Sequence, residues 1–233
     1  MDNKYTNYFE LKNTIIDGQG DYWKSLDIIN RINNLFYKQR LINRNFYLKN
    51  YFSRGIEGIV FETYIKGILC KIIPHNIFYR SNREQIDKNI FTPNNYYEKS
   101  LYNYEYLSKE NRGPKVHKII KKIYLPWEKY EKNDLIWRIN QDLKKNNLKS
   151  SSNFIDIDGF PISIVFMEEI NCFDQGYPEE RLKLIKYLYH PYTLKNIGAT
   201  CDLEFGRNKH GQLVLLDIMP GQIQKEEINR WLS

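Results

Sequence analysis

The chain has 233 residues, of which 27% are charged and 42% hydrophobic, a balance that excludes a disordered chain and suffices for a buried core. Its formal net charge is +7, which suits an acidic protein or a nucleic acid as partner, but no RNA-binding aromatic motif accompanies the lysines. The cysteines Cys70, Cys172 and Cys201 form no CxxC pair, which excludes the usual disulfide framework and zinc spacing.

The N-terminal residues lack the apolar segment of a signal peptide, and no apolar run approaches about 18 residues. We therefore expect no membrane span. The expected location is the cytoplasm, or a host cytosol reached by secretion without a cleaved signal. The sequence predicts no particular oligomeric state.

The predicted elements begin with an amphipathic helix over residues 21–37, whose apolar residues recur at steps of three and four. Residues 47–71 predict three strands, separated by a glycine-containing turn and by a hairpin turn at Lys66-Gly67. A helix over residues 95–111 follows, with Tyr97, Leu101, Tyr104 and Leu107 on one stripe.

The second half of the chain predicts two strands, a helix, a hairpin and a polar insertion. In chain order these are a strand (116–124), the insertion (127–158), a buried strand (160–168), a helix (179–189), a hairpin (202–207 with 212–218) and a last helix (225–232). The order predicts an α+β fold in three parts. These are a helical extension (1–50), a sheet with one helix and the insertion (51–170), and a reduced C-terminal part (171–233).

The first turn has a residue pattern that suits phosphate binding. Ser53, Gly55, Gly58 and Val60 surround it, and glycines let backbone N–H groups approach phosphate oxygens because no Cβ intervenes. On the following strand Lys71 stands among apolar neighbours, and a buried ammonium needs an anionic partner. The turn and the lysine together predict a nucleotide site.

These residues resemble the Gly-rich loop and the strand lysine of the protein-kinase-like superfamily, with Ser53 at the position of the first glycine. The resemblance implies a divergent, minimal kinase or pseudokinase. Its fold would be two-lobed and α+β, with an antiparallel N-terminal sheet and a truncated C-terminal lobe. Lys71 would contact the ATP phosphates, held by a glutamate of the following helix. Glu98 and Glu105 both qualify, because they lie two turns apart on one face of that helix, and Glu98 is favoured.

The resemblance also extends to the later elements. Met167 would be the gatekeeper residue, and the backbone at Glu168 would bind adenine. Asp202 would orient the acceptor hydroxyl, and Asp217 would bind Mg²⁺. Asn208 would be the second metal ligand, although it lies one residue further from Asp202 than the family spacing gives.

Two alternatives remain open for the C-terminal part. In the first, His190-Pro191-Tyr192 is a degenerate catalytic motif with Asn196 as metal ligand, which implies a pseudokinase. In the second, the hairpin from Asp202 to Asp217 resembles that of ATP-grasp enzymes, in which both acidic residues chelate Mg²⁺.

The function implied is transfer of a phosphoryl group from ATP to a hydroxyl, dependent on Mg²⁺, with a protein acceptor favoured over a small molecule. The short sequence after Asp217, and the absence of a glycine directly following it, favour an inactive protein-binding module as the alternative. A basic nucleic-acid-binding protein is the third hypothesis, and its affinity would fall steeply with salt.

Overall fold

The computed structural model describes residues 8–11, 26–54, 58–74, 77–80, 96–126, 159–197, 200–201, 204–216 and 219–220, and the single residues 133, 137, 141 and 144. The helices of this part are α1 (Leu26–Lys38), α2 (Tyr96–Lys109), α3 (Pro178–Leu188) and α4 (Pro191–Ile197), with a 3₁₀ turn at Arg44–Phe46. The strands are β1 (Tyr8–Leu11), β2 (Leu48–Arg54), β3 (Ile59–Thr63), β4 (Ile68–Pro74), β5 (Ile77–Arg80), β6 (Val116–Pro126), β7 (Gly159–Glu168), β8 (Thr200–Cys201), β9 (Phe205–Arg207), β10 (Leu213–Leu215) and β11 (Met219–Pro220).

A five-stranded antiparallel sheet is the centre of the described structure, with strand order β2-β3-β4-β7-β6. The first three strands are neighbours in sequence, joined by the glycine-containing turn and by a hairpin turn in which Gly67 has φ +79°. That left-handed backbone conformation is open to glycine without a steric cost. Helix α2 then precedes β6 in the chain, and β7 returns between β4 and β6. Three two-stranded pairs, β1-β5, β8-β11 and β9-β10, complete the described strands.

The first hydrophobic core lies between α1 and one face of the sheet. Helix α1 contributes Ile28, Ile32 and Phe36, which are completely buried and recur every four residues on one side of the helix. Phe36 meets Phe166 of β7, with ring centroids 6.0 Å apart. The side-chain spacing that predicts the helix therefore also determines which of its faces covers the sheet.

Two polar side chains attach α1 to both edge strands of the sheet. Asn33 donates from Nδ2 to the Leu48 carbonyl at 2.9 Å and accepts from the Leu48 N–H at 2.8 Å, which satisfies backbone groups at the start of β2. At the opposite edge, Arg31 donates to the carbonyl of Pro126 at 2.7 Å. Because the contacts reach β2 and β6, the helix crosses the whole width of the sheet.

The second core lies on the opposite face, where α2, α3 and the β9-β10 hairpin pack together. Its buried residues are Ile73, Leu101, Tyr104, Leu107, Val165, Leu184, Ile185, Leu188, Phe205, Leu213 and Leu215. Residues before and after the predicted boundary at 170/171 share this core. The C-terminal elements are thus packed directly on the sheet.

The structure confirms the α+β class and the antiparallel sheet, and the predicted strands and helices agree with it to within a few residues where both are described. Helix α4 and the pairs β1-β5 and β8-β11 were not predicted. The proposed helix 225–232 lies outside the described residues, as does the 127–158 insertion apart from four helical residues. Among the described helices, none has the length and apolar character needed to cross a membrane.

Candidate functional site

Three of the predicted nucleotide-binding residues lie in one row across the sheet. Ser53 of β2 is opposite Val60 of β3, Val60 is opposite Lys71 of β4, and Lys71 is opposite Val165 of β7. Directly opposed residues of antiparallel strands point to the same face of a sheet. The row therefore lies on the face that carries the second core, and we call this surface the cleft face.

Lys71 is buried, with 6% of its surface exposed, and its ammonium is hydrogen-bonded to a tyrosine of α2. The Nζ atom lies 2.6 Å from Oη of Tyr104 and 5.2 Å from the centre of the ring. These two distances place the ammonium beyond the hydroxyl rather than over the ring face, so the contact is a hydrogen bond rather than a cation–π contact. A phenol oxygen of α2 thus accepts a hydrogen bond from the buried ammonium.

The two glutamates considered as partners of Lys71 lie elsewhere on α2. Glu98 is exposed in the first turn of the helix. Glu105 forms an ion pair with Lys109 at 2.9 Å, and the hydrogen bond from Lys109 lowers the pKa of the Glu105 carboxyl. Tyr104 of the same helix is hydrogen-bonded to Lys71, and a role for either glutamate stays a prediction.

The buried side of α2 is polar where it approaches the sheet. Ser100, Asn103 and Tyr104 are at most 1% exposed and lie within one turn of one another, and none of them is without an interaction partner. The sequence pattern placed Tyr104 on an apolar stripe of the helix, and it predicted no role for Ser100 or Asn103. The signal that was missed is the recurrence of polar residues at spacings of three and four within that stripe.

Gly58 has a packing role that requires no phosphate. A Cβ at this position would lie 2.2 Å from the Ile72 carbonyl oxygen on β4, so any side chain would collide with the neighbouring backbone. The glycine is therefore explained by the close approach of β3 to β4. Gly55 lies outside the described residues, and its predicted contact with phosphate stays a prediction.

The end of β7 is fixed by its neighbours. Met167 is half-buried against the second core. Glu168 is 6% exposed, and its Oε1 accepts a hydrogen bond at 2.8 Å from the Lys115 N–H, while its own N–H donates to the Lys115 carbonyl at 2.9 Å. The Glu169 N–H donates to the carbonyl of Gly67. These bonds attach the end of β7 to the residues that directly precede its two neighbouring strands, β6 and β4.

The predicted metal-binding region is described only in part. Asp202 and Asp217 lie outside the described residues, although strand pairs are described on either side of them. Cys201 is paired with Met219, and the Leu216 N–H donates to the Glu204 carbonyl at 2.9 Å.

Asn208 lies in the turn that joins β9 to β10. Its Oδ1 accepts hydrogen bonds of 3.0 Å from the N–H groups of both His210 and Gln212. These two bonds engage the amide oxygen in the turn, so Asn208 could bind a metal ion only if the turn opened, and its role as a ligand stays a prediction.

The residues of the alternative catalytic motif lie in helix α4 and at His190, which directly precedes it. The Tyr192 side chain is 66% exposed, and the N–H of Tyr192 donates to Nδ1 of His190. Asn196 donates to the carbonyl of Tyr192 at 2.9 Å within the same helix. These contacts stabilise a short helix, and they give the three residues a local structural role.

A surface cavity of about 560 Å³ lies beside the segment that follows β7. Its walls are Asn171, Phe173, Asp174, Gln175, Gly176, Tyr177 and Arg207. Arg207 donates to Asp174 at 2.8 Å and to Glu180 at 2.6 Å, so its charge is already paired with two carboxylates. Lys71 is not among the described residues that line the cavity, and none of those residues is an unpaired cation that would select an anionic ligand.

Comparison of the chain with family models, with curated proteins and with solved structures finds no match. Within the described part of the chain, no group of three or more His, Cys, Asp and Glu side chains is arranged to bind a metal ion. The geometry around Lys71 is therefore the main indication of function.

Proposed function

We propose that the protein binds ATP on the cleft face and transfers its terminal phosphoryl group to a hydroxyl, with the two-lobed arrangement of the protein-kinase-like superfamily. The observation on which this rests is the row Ser53, Val60 and Lys71, with Lys71 buried and hydrogen-bonded to Tyr104. A buried ammonium at the back of such a row suits the phosphates of a nucleotide.

The order of elements along the chain supports the proposal. A turn-linked hairpin precedes the lysine strand, a helix follows that strand, and two further strands then join the same sheet. This is the order that the resemblance implies. The C-terminal hairpin packs against the same face through Phe205 and Leu215, which would form the second wall of a cleft.

Apolar side chains on the cleft face fit the base of the nucleotide. Val60 is half-buried, and in the adjacent row Leu69 of β4 lies opposite Met167 of β7. Flat apolar surfaces of this kind bury a purine ring, and backbone groups at the end of a strand fix its orientation. Met167 and Glu168, at the end of β7, are the residues predicted for that position.

The proposal assigns Mg²⁺ to Asp217 and orientation of the acceptor hydroxyl to Asp202. When bound, the metal would neutralise charge on the phosphates. Asn208 would have to leave its turn to act as a second ligand, because its amide oxygen accepts two backbone hydrogen bonds. The metal assignment therefore depends on the two aspartates alone.

The hydrogen bonds of Asn208 favour a second function, which is binding without phosphoryl transfer. With Asn208 engaged in a turn, the chain would lack one of the two metal ligands of an active kinase, and it would bind a nucleotide or a protein without phosphoryl transfer. Binding of ATP without transfer would identify this alternative.

The test is thermal unfolding of the wild-type chain and of Lys71→Met with ATP, in the presence and absence of Mg²⁺. At about 100 times the dissociation constant, ATP should stabilise the wild type by about 2.7 kcal/mol, or roughly 5 to 10 °C for a chain of this size. Lys71→Met removes the ammonium at similar length and should abolish the shift. Lys66→Met, in the exposed β3–β4 turn, is the matched control and should retain it.

Transfer is measured with γ-labelled ATP and the variant Asp217→Asn, which should bind ATP without transferring label in the presence of Mg²⁺. The nucleotide proposal is wrong if the wild type shows no shift with ATP, or if Lys71→Met shifts as the wild type does. If the wild type binds ATP but transfers no label, only the second function, binding without phosphoryl transfer, remains.

A further inference from the structure

We propose that Tyr104 is the positioning residue of the anion site, its phenol oxygen fixing the Lys71 ammonium on the cleft face for the phosphates of the bound nucleotide. This inference rests on the proposed ATP-binding function. It assigns to a tyrosine the task for which the sequence suggested a glutamate.

The position of Tyr104 is fixed by the packing of α2. The side chain is 1% exposed, and Leu101 and Leu107, one turn before and after it, are buried in the same core. A tyrosine ring buried between such neighbours has few alternative rotamers. Its hydroxyl therefore offers Lys71 one defined acceptor position, 2.6 Å from Nζ.

The position of Lys71 along its strand is fixed just as strictly. Its cross-strand neighbours Val60 and Val165 are apolar, and β4 is paired on both sides, so the backbone at Lys71 has little freedom to move. The four-carbon stem still has several rotamers, and the hydrogen bond to Tyr104 selects one of them. Positioning is thus the property that the phenol adds.

The experiment measures the affinity of Tyr104→Phe for ATP and for adenosine by titration calorimetry. The substitution retains the ring and removes only the acceptor oxygen. Hydrogen bonds to charged groups contribute enough that ATP should bind about 10- to 100-fold more weakly. Adenosine, which has no phosphate, should bind equally well to the variant and to the wild type.

Tyr187→Phe is the matched control. Tyr187 lies on α3, where its ring meets the Arg112 guanidinium, so the loss of its hydroxyl should leave ATP affinity unchanged. The double variant Lys71→Met/Tyr104→Phe separates positioning from general stability. If Tyr104 acts through Lys71, its substitution should have no further effect on ATP affinity once the ammonium is absent.

Three results would overturn the inference. They are unchanged ATP affinity in Tyr104→Phe, equal weakening of ATP and adenosine, and additive losses in the double variant. If the wild type binds ATP and Lys71→Met binds it measurably but more weakly, these results overturn the role of Tyr104 and leave the proposed function intact. If the wild type itself fails to bind ATP, both are overturned.

Discussion

Single residues around the cleft face have structural explanations that compete with the functional ones. Gly58 was predicted to cover a phosphate, yet the backbone of β4 leaves no room for a Cβ there. Glu168 was predicted at the adenine site, and its carboxylate accepts a hydrogen bond from the Lys115 N–H. Lys71 is different, because burial of a lysine on a central strand gives no stability that an apolar residue would not exceed. The ammonium is the feature that most requires a functional explanation.

Gly58→Ala should destabilise the fold whether or not nucleotide is present. The new methyl group would lie 2.2 Å from the Ile72 carbonyl oxygen, so β3 must move away from β4. Overpacking of this kind costs about 1 to 3 kcal/mol, measured by urea unfolding. At Gly67 a Cβ would meet no atom within 4 Å, and Gly67→Ala should cost only about 1 kcal/mol from its left-handed backbone. Equal stability of Gly58→Ala and the wild type would contradict the packing role.

At the scale of elements, Arg207 of β9 connects three parts of the C-terminal structure. It donates to Asp174 in the segment after β7, to Glu180 in the first turn of α3, and at 2.8 Å to the Gly211 carbonyl in the β9–β10 turn. Asn171 and Arg207 also exchange two backbone hydrogen bonds, of 2.9 and 3.0 Å. Because these elements are distant in sequence, this one side chain fixes much of their relative position.

The hydrogen bond from Arg207 lowers the pKa of Glu180 from its usual 4.5 to about 2. A carboxyl whose pKa is lower in the folded than in the unfolded state adds stability above the unfolded pKa, and that stability is lost as the pH falls through the folded value. The contribution of Glu180 should therefore be complete above about pH 4.5 and be lost progressively towards pH 2.

Glu180→Gln should make the unfolding free energy less dependent on pH in that window, measured by urea unfolding at each pH. Glu179→Gln, at the exposed neighbouring carboxyl of the same helix, is the matched control and should retain the wild-type slope. An unchanged slope in Glu180→Gln would show that the ion pair contributes no pH-dependent stability.

At the scale of the whole molecule, the described structure is a sheet buried on both faces. On β4, Cys70 and Ile72 point into the first core and Ile73 points into the second. Every change in the position of this strand is therefore transmitted to both cores. The sheet and the C-terminal elements should behave as one cooperative unit, although the sequence suggested separate parts.

Ile32→Ala in the first core and Leu215→Ala in the second should each lower the midpoint of the same unfolding transition. Both side chains are completely buried, and large-to-small changes at such sites cost about 2 to 5 kcal/mol. Calorimetry checks the prediction. Two separate transitions, each shifted by one of the substitutions, would show that the cores unfold independently.

The sequence predicted local elements well and their contacts poorly. Residues 95–111 predict α2 to within two residues at each end, because apolar spacing and the terminating Gly113-Pro114 are local signals. The same pattern could not show which residue of α2 faces Lys71. Asn208 illustrates the reverse case, since spacing suggested a metal ligand whereas the turn uses its amide oxygen.

The sequence by itself determined the α+β class, the positions of the main strands and helices, and the burial of a lysine on a strand beside a glycine turn. These follow from side-chain periodicity and from turn chemistry, which act over a few residues. Only the tertiary structure decided the strand order, the burial of both sheet faces and the pairing of Lys71 with Tyr104. Those two residues are 33 positions apart, and their contact depends on how a helix packs on a sheet, which no local pattern specifies.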